Sequence, residues 1–211
     1  MNTLEATSQS QVEELNKLFK NSDPKQIIQK ALEISEEAIV TTNFRPYEVA
    51  ILQAVSAVKP DMSVVWCDTG YNTPKTYRHA DDLISRLKLN VSLYVPQQTK
   101  AHRDIVLGIP SIDDPKHALF TEQVKLEPFT RAFAHHQPKV WFTNLRKGQT
   151  VFRDSIDIFS LSKDGVLKVS PFYYWSDAEL DDYLVSNDLP NEFEYYDPTK
   201  ALENRECGLH A

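Results

Sequence analysis

The end of the chain carries the residue types of a nucleophilic site. Cys207 is followed directly by Gly208, and Arg205 and His210 lie on either side of this pair. A thiol reacts as its thiolate, and a nearby cation stabilises that anion. One cation can do so in a partly dehydrated pocket but hardly in open water. The spacing therefore predicts a nucleophilic Cys207 on a terminal arm that must dock onto the protein to react.

Four segments resemble the phosphoadenylyl-sulfate (PAPS) reductase family, and they occur in the same order. They are the DTGY turn within residues 65–78, the K-x-E-P-x-x-R-A stretch at 125–132, the W-x-x-x-L-R segment at 141–146 with Gln149 and Arg153, and ECGLH at 206–210. A terminal cysteine taken alone would favour a disordered tail with an incidental thiol. Four ordered matches are much harder to obtain by accident, and the resemblance runs from about residue 38 to the end of the chain.

The resemblance implies a reaction. Cys207 would attack the sulfur of PAPS, release adenosine 3′,5′-bisphosphate and become an S-sulfocysteine. Because no resolving cysteine lies near it, an external dithiol, thioredoxin or glutaredoxin, would then release sulfite. The related adenylyl-sulfate reductases carry extra cysteines for an iron–sulfur cluster, whereas this chain has 2 in all. We therefore expect no iron–sulfur cluster, no metal site and no bound cofactor. The resemblance also suggests a homodimer.

Apolar runs and helical stripes alternate along the chain and predict an α/β fold. Strands are predicted at 38–42, 63–67, 91–95 and 139–143, and two short strands around 164–165 within 156–172. Helices are predicted at 11–20, 25–37, 47–58, 74–88, 119–136 and 177–186, and a surface loop at 108–117. This alternation implies a mostly parallel sheet with helices on both faces, similar to the adenine nucleotide α-hydrolases.

Composition and length predict how the chain is divided. Residues 1–186 are expected to form one nucleotide-binding α/β domain that includes the N-terminal helices. Residues 187–211 are polar and interrupted by prolines, so they are expected to form a C-terminal catalytic tail. Residues 1–20 lack the charged start and apolar run of a signal peptide, and no segment approaches the ~20 apolar residues of a membrane span. We expect a cytoplasmic protein.

Two turns at the carboxyl ends of the first two strands form the expected nucleotide site. The first turn follows Thr42, and its side-chain donors are Thr41, Thr42 and Asn43. The helix after it is expected to point free N–H groups and about half a positive charge toward an anion. The second turn follows Cys67 and consists of Asp68, Thr69 and Gly70. Cys67 itself ends an apolar strand and is expected to be a buried small side chain.

The first turn departs from the family that the chain resembles. Where the family has a serine-rich loop ending in glycine, this chain has Arg45 followed by Pro46. Pro46 contributes no N–H, so backbone binding of a phosphate is weakened. We expect the Arg45 guanidinium to bind the anion instead. The alternative is that Arg45 is a surface residue and that the protein binds a different nucleotide, or a sulfonated compound other than PAPS.

The chain is acidic, with a formal net charge of −7, which argues against a nucleic-acid polymer or an anionic membrane as a partner. An anionic substrate therefore needs a local basic cluster. The resemblance implies that Lys125, Arg146 and Arg153 line the phosphosulfate or terminal phosphate pocket. Arg205 would stabilise the Cys207 thiolate, and His210 would orient or neutralise the transferred sulfo group.

Two further functions stay open on the sequence alone. The first is a nucleotide α-hydrolase of the ATP-pyrophosphatase type, although the chain lacks the S-G-G-x-D-S-type loop of those enzymes. The second is a non-catalytic nucleotide-binding or regulatory subunit, which the altered first turn would suit. The residue types at 205–210 argue against this second function.

Overall fold

The computed structural model describes residues 7–200, which form one six-stranded sheet with helices packed against it. The strands are β1 Ala38–Thr42, β2 Ser63–Cys67, β3 Asn90–Tyr94, β4 Val140–Phe142, β5 Phe159–Leu161 and β6 Leu167–Val169. They lie in the order β3-β2-β1-β4-β6-β5, and neighbouring strands are parallel except for β5 with β6. The predicted α/β class with a mostly parallel sheet is confirmed.

Local sequence signals explain where several helices begin. The helices are α1 Gln9–Phe19, α2 Pro24–Ile34, α3 Glu48–Val58, α4 Pro74–Leu87, α5 Lys100–Val106, α6 Lys116–Thr121, α7 Glu127–His136, α8 Val151–Asp154 and α9 Asp177–Ser186. Ser8, Asp23 and Ser176 begin α1, α2 and α9 with capping boxes. In each box the cap side chain and the side chain three residues later satisfy one another's backbone N–H groups.

Helices cover both faces of the sheet. Val40 and Val64 belong to a large apolar core that also contains residues of α1, α2, α3, α4 and α9. Their neighbours Ile39 and Val65 belong to a smaller core, which Ala132 of α7 joins. Successive side chains of a strand point to opposite faces, so the two cores lie on opposite sides of the sheet.

The structure differs from the sequence prediction in the stretch between β3 and β4. The predicted helix at 119–136 is three pieces, because a π-helical turn, Glu122–Leu126, joins α6 to α7. Pro128 has no N–H to donate to the carbonyl of Val124, so the regular helical bonding pattern breaks there. The sequence pattern also did not predict α5 or α8. Both are short, and α5 buries Arg103 rather than an apolar stripe.

The strand order sets the position of the site. From β1 the chain moves to β2 and β3 on one side of the sheet and later returns to β4 on the other side of β1. The connections that leave β1 and β4 therefore diverge, and a crevice opens at the carboxyl ends of these strands. None of the helices in residues 7–200 has the length and apolar character needed to cross a bilayer.

Candidate functional site

A cleft occupies this crevice, and six of the predicted substrate-binding residues line it. They are Thr41, Thr42, Asn43, Arg45, Lys125 and Arg153. The cleft is also lined by Glu48, Asn144, Asp197 and Lys200. Its described lining therefore has four basic side chains against two carboxylates, although the whole chain has a net charge of −7. The cleft is a locally basic region of an acidic protein.

A carboxylate organises the first turn. Glu48 is the first residue of α3 and is 5% exposed. Its Oε2 accepts hydrogen bonds from Thr42 Oγ1 at 2.9 Å and from the Asn43 N–H at 2.8 Å. The Arg45 N–H approaches the same oxygen at 3.4 Å, and Arg45 Nε donates to Oε1 at 2.7 Å. The guanidinium that we expected to bind a substrate anion therefore already contacts an internal one.

The N–H groups of the first turn already have partners inside the protein, whereas the free N–H groups expected at the start of α3 stay a prediction. Besides the two N–H groups that reach the carboxylate, the Phe44 N–H donates to Thr42 Oγ1 at 2.9 Å. The Tyr47 N–H donates to Asn191 Oδ1 at 2.9 Å, and Pro46 has no N–H. Helix N-termini usually leave their first N–H groups without partners inside the helix. Here side chains from the helix itself and from the C-terminal segment satisfy the turn instead.

Lys125 is held by a buried ion pair. It lies on the π-helical turn and is 3% exposed. Its Nζ donates to Asp197 at 2.5 Å and approaches Thr199 Oγ1 at 3.4 Å. Burial alone would raise the pKa of Asp197, but the Lys125 ammonium and the hydrogen bonds from Thr199 hold that pKa below its usual value. The structure thus places Lys125 in the cleft with an internal carboxylate as its partner.

Gln149 accepts hydrogen bonds from the other two basic residues predicted for the site, Arg146 and Arg153. Arg153 on α8 is 4% exposed and donates from Nη1 to Gln149 Oε1. The backbone N–H of Arg146 donates to the same oxygen at 3.2 Å. The Arg146 guanidinium points elsewhere, to Asp177 at 2.6 Å and to the carbonyl of Trp175 at 3.2 Å. Among the described residues, Arg153 therefore lines the cleft and Arg146 does not.

The second turn is closed by its own hydrogen bonds. Asp68 Oδ1 accepts from the Gly70 N–H, from Asn72 Nδ2 and from the Tyr77 hydroxyl, each at 2.9 Å. Gly70 has φ 82°, a left-handed conformation that glycine adopts without strain. The predicted residues Asp68, Thr69 and Gly70 are not among the described residues that line the cleft. Their contact with substrate stays a prediction.

Cys67 is a buried thiol at the end of β2, as predicted. It is 7% exposed and belongs to the smaller apolar core. Burial raises the pKa of the Cys67 thiol to about 12, although Lys125 and Arg131 act in the opposite direction. Arg131 itself is a surface residue of α7 that pairs with Glu127 at 2.9 Å. Cys67 stays protonated at neutral pH and is therefore a poor nucleophile.

The C-terminal segment crosses the cleft side of the protein. Residues 187–200 contain no helix or strand, and they contact the body at several points. The carbonyl of Glu194 accepts from the hydroxyls of Thr73 and Thr76 at 2.9 and 3.0 Å. Lys75 pairs with the Glu194 carboxylate at 2.8 Å. At the end of the described segment, Lys200 lines the cleft.

The predicted nucleophile and its two neighbours, Cys207, Arg205 and His210, lie outside the described residues. Within residues 7–200, no group of three or more His, Cys, Asp or Glu side chains is arranged to hold a metal ion.

Sequence reasoning missed both carboxylates of the cleft. Glu48 had a local signal, since it is an acidic residue three positions after Arg45 at the start of an apolar helix. Asp197 had none, because its partner Lys125 is 72 positions away in the chain.

Comparison with known proteins shows the family of the chain. Residues 37–195 match the family model described as phosphoadenosine phosphosulfate reductase domain. A Synechococcus protein named phosphoadenosine 5′-phosphosulfate reductase is 31% identical over 182 residues, which cover 84% of this chain and 77% of the relative. A Xylella fastidiosa protein of the same name is 33% identical over 157 residues, covering 72% of this chain and 64% of the relative. The chain thus spans about two thirds to three quarters of the length of these relatives.

The fold also resembles a solved structure. The phosphoadenylyl-sulfate reductase of Candida auris, crystallised as a phosphate complex, superimposes with a TM-score of 0.77 and 22% sequence identity. The match covers 88% of this chain and 89% of the Candida auris chain. At this identity the likeness establishes the fold.

Proposed function

This chain belongs to the phosphoadenosine phosphosulfate reductase family, and we propose that it reduces PAPS to sulfite and adenosine 3′,5′-bisphosphate in sulfate assimilation. The observation that carries the proposal is the basic cleft at the carboxyl ends of β1 and β4. The described part of the C-terminal segment ends at Lys200, which lines the wall of this cleft and precedes Cys207 in the chain.

The charge of the cleft suits this substrate. PAPS carries several negative charges on its phosphosulfate and its 3′-phosphate, and an acidic chain can hold it only where basic groups are concentrated. Lys125 and Arg153 are 3% and 4% exposed, so water screens them less than it screens surface cations. Cations in such a site also stabilise negative charge that develops on a leaving group. Arg153 is therefore suited to the departing phosphate, whereas Lys125 must first exchange its Asp197 partner for it.

The length of the tail allows Cys207 to reach the cleft. Cys207 is seven positions after Lys200, and seven extended residues span at most about 25 Å. We keep the predicted division of the chain, in which residues 1–186 bind the nucleotide and residues 187–211 form the catalytic tail. The contacts of Glu194 and Asp197 hold the root of this tail against the body. A short tether of this kind confines the thiol near the bound substrate.

In the first half-reaction the Cys207 thiolate attacks the sulfur of the sulfo group. A bond forms between Sγ and that sulfur, and the bond from sulfur to the bridging phosphate oxygen breaks. The electron pair leaves with the oxygen of adenosine 3′,5′-bisphosphate, and Cys207 becomes an S-sulfocysteine. Arg205 stabilises the attacking thiolate, and His210 neutralises the transferred group. Cys67 takes no part, because its thiol is buried and protonated.

In the second half-reaction a partner dithiol supplies two electrons. One of its thiolates attacks Sγ of Cys207, sulfite leaves, and a mixed disulfide forms. The second thiol of the partner then releases Cys207 and closes the partner's own disulfide. Thioredoxin or glutaredoxin has the required chemistry, and we propose that the reaction takes place in the cytoplasm. The chain has 2 cysteines, too few for a four-cysteine iron–sulfur cluster, so the proposal includes no bound cofactor.

Mass spectrometry of the full chain after exposure to PAPS without reductant tests the proposal. We expect a sulfo adduct that peptide mapping assigns to Cys207, and sulfite release when thioredoxin is added. Cys207→Ser should form no adduct and no sulfite, while adenosine 3′,5′-bisphosphate still binds.

Cys67→Ser is the matched control, because it also removes one of the 2 cysteines. It should form the adduct at the normal rate. Sulfite production by Cys207→Ser would reject the assignment of the nucleophile. The suggested homodimer is a separate expectation, which analytical ultracentrifugation tests.

A further inference from the structure

The first turn already contains an anion. In related nucleotide-binding folds, glycine-rich loops at this place use backbone N–H groups and a helix N-terminus to bind phosphate. Here the Glu48 carboxylate takes the N–H groups of Asn43 and Arg45, the Thr42 hydroxyl and the Arg45 guanidinium. In each of these contacts the carboxylate accepts the hydrogen bond. These are the donors of the turn that would otherwise bind a phosphate.

A second anion at this turn would meet two obstacles. It would have to displace the carboxylate from its donors, and the carboxylate is attached to the first residue of α3, so it is always present at high local concentration. A phosphate that bound beside it instead would be close to a like charge in a partly dehydrated cleft, where such repulsion is strong. Pro46 and the bond from the Tyr47 N–H to Asn191 leave the rest of the turn with no N–H group to offer.

We propose that Glu48 is a specificity-determining residue: its carboxylate substitutes for a ligand phosphate in the first turn, so that the cleft rejects polyphosphates such as pyrophosphate and ATP. A substrate must then place its anionic groups against the other basic side chains of the cleft. Lys125, Arg153 and Lys200 line that part of it. The identity of the accepted substrate rests on the proposed function, whereas the rejection of polyphosphates does not.

Calorimetric titration of the full chain with pyrophosphate and with ATP tests this role. The unaltered protein should bind both weakly. Glu48→Ala removes the carboxylate, and Glu48→Gln removes its charge while keeping its shape. Both changes make donors of the turn available to an external anion, so we expect at least a tenfold gain in pyrophosphate affinity. The gain should be larger for Glu48→Ala, because the glutamine amide still fills part of the space.

Glu33→Gln is the matched control for the change in net charge. Glu33 lies on α2 with its side chain 67% exposed and pairs with Lys30 at 3.1 Å. This variant should bind pyrophosphate as weakly as the unaltered protein. Tight binding of pyrophosphate by the unaltered protein, or no gain in a Glu48 variant that circular dichroism shows to be folded, would overturn the proposal.

Two further outcomes are informative. If neither Glu48 variant folds, thermal unfolding of the unaltered protein decides: protection by pyrophosphate at about millimolar concentration overturns the proposal, and its absence supports it. Pyrophosphate binding requires no turnover, so this test is independent of the reaction. A gain in the variants without any sulfite formation would reject the proposed function and leave the role of Glu48 standing. Sulfite formation without a gain in pyrophosphate affinity would support the proposed function and reject the role of Glu48.

Discussion

The first and second turns leave neighbouring strands at the same edge of the sheet, and a carboxylate organises each of them. Glu48 takes the donors of the first turn, and Asp68 takes those of the second. The first turn lines the cleft, whereas the predicted residues of the second do not line its described part. A shared position at the edge of a parallel sheet is therefore not enough to make a turn line the described part of the cleft.

The backbones of the two turns show the same difference. The second turn places a glycine, Gly70, at φ 82°, whereas the first places Phe44 at φ 53° and Tyr47 at φ 67°. Positive φ costs free energy at residues with a side chain, and such strain persists where the surrounding structure enforces it, often at functional sites. The second turn needs no strained residue, as is typical of a stable connection between a strand and a helix. The first turn has the chemistry of a binding surface held in place by tertiary contacts.

Among the changes that test this comparison, breaking the Lys125–Asp197 ion pair in the cleft should have the largest effect. Lys125→Met leaves Asp197 buried without its partner, and breaking a buried pair in this way costs about 3–5 kcal/mol of unfolding free energy. Urea unfolding measures the loss. The double variant Lys125→Met/Asp197→Leu should recover most of it, because no uncompensated charge remains. Equal losses in the single and double variants would show that the unpaired charge of Asp197 is not the cause of the loss.

A smaller effect is expected when the second turn loses its carboxylate. Asp68→Ala removes the acceptor of three hydrogen bonds, and the unfolding free energy should fall by about 2–3 kcal/mol. The affinity for adenosine 3′,5′-bisphosphate, measured by calorimetry, decides the role of the turn: it falls if Asp68 contacts substrate as predicted, and it stays the same if the turn is only a connection. Tyr77→Phe deletes one of the three donors and should cost about 1 kcal/mol. A loss of nucleotide affinity in Asp68→Ala would break the comparison, because it would bring the second turn into the site.

The smallest effect should follow from Gly70→Ala. A Cβ at this position would lie 3.6 Å from Lys100 Cβ, which is an ordinary contact, so the cost arises from the left-handed backbone and should be about 1 kcal/mol. The urea midpoint should fall accordingly. Gly165→Ala is a matched control, since Gly165 has φ 76° with no atom within 4 Å of the added Cβ. A much larger loss at Gly70 would indicate a steric clash that the geometry does not predict.

Several elements could be predicted from the sequence with correct bounds. The strands at 38–42 and 63–67 are apolar runs, and the helix at 177–186 follows a capping serine, Ser176. These signals are local, because burial pattern and capping depend on residues a few positions apart. The helix α5 escaped prediction because it buries the charged Arg103, which no pattern of apolar residues indicates. The π-helical turn likewise departs from a regular helix over only five residues.

For the site, the sequence by itself determined which residue types stand at the ends of the strands and that basic groups follow them at 125, 146 and 153. The tertiary structure alone decided how these groups pair. Lys125 meets Asp197 across 72 positions, and the Tyr47 N–H meets Asn191 across 144 positions. It also directed Arg146 away from the cleft and Arg153 toward it. The reason is physical: the interaction of charged and hydrogen-bonding groups depends on their distance and burial in space, and neither quantity is written in the local order of residues.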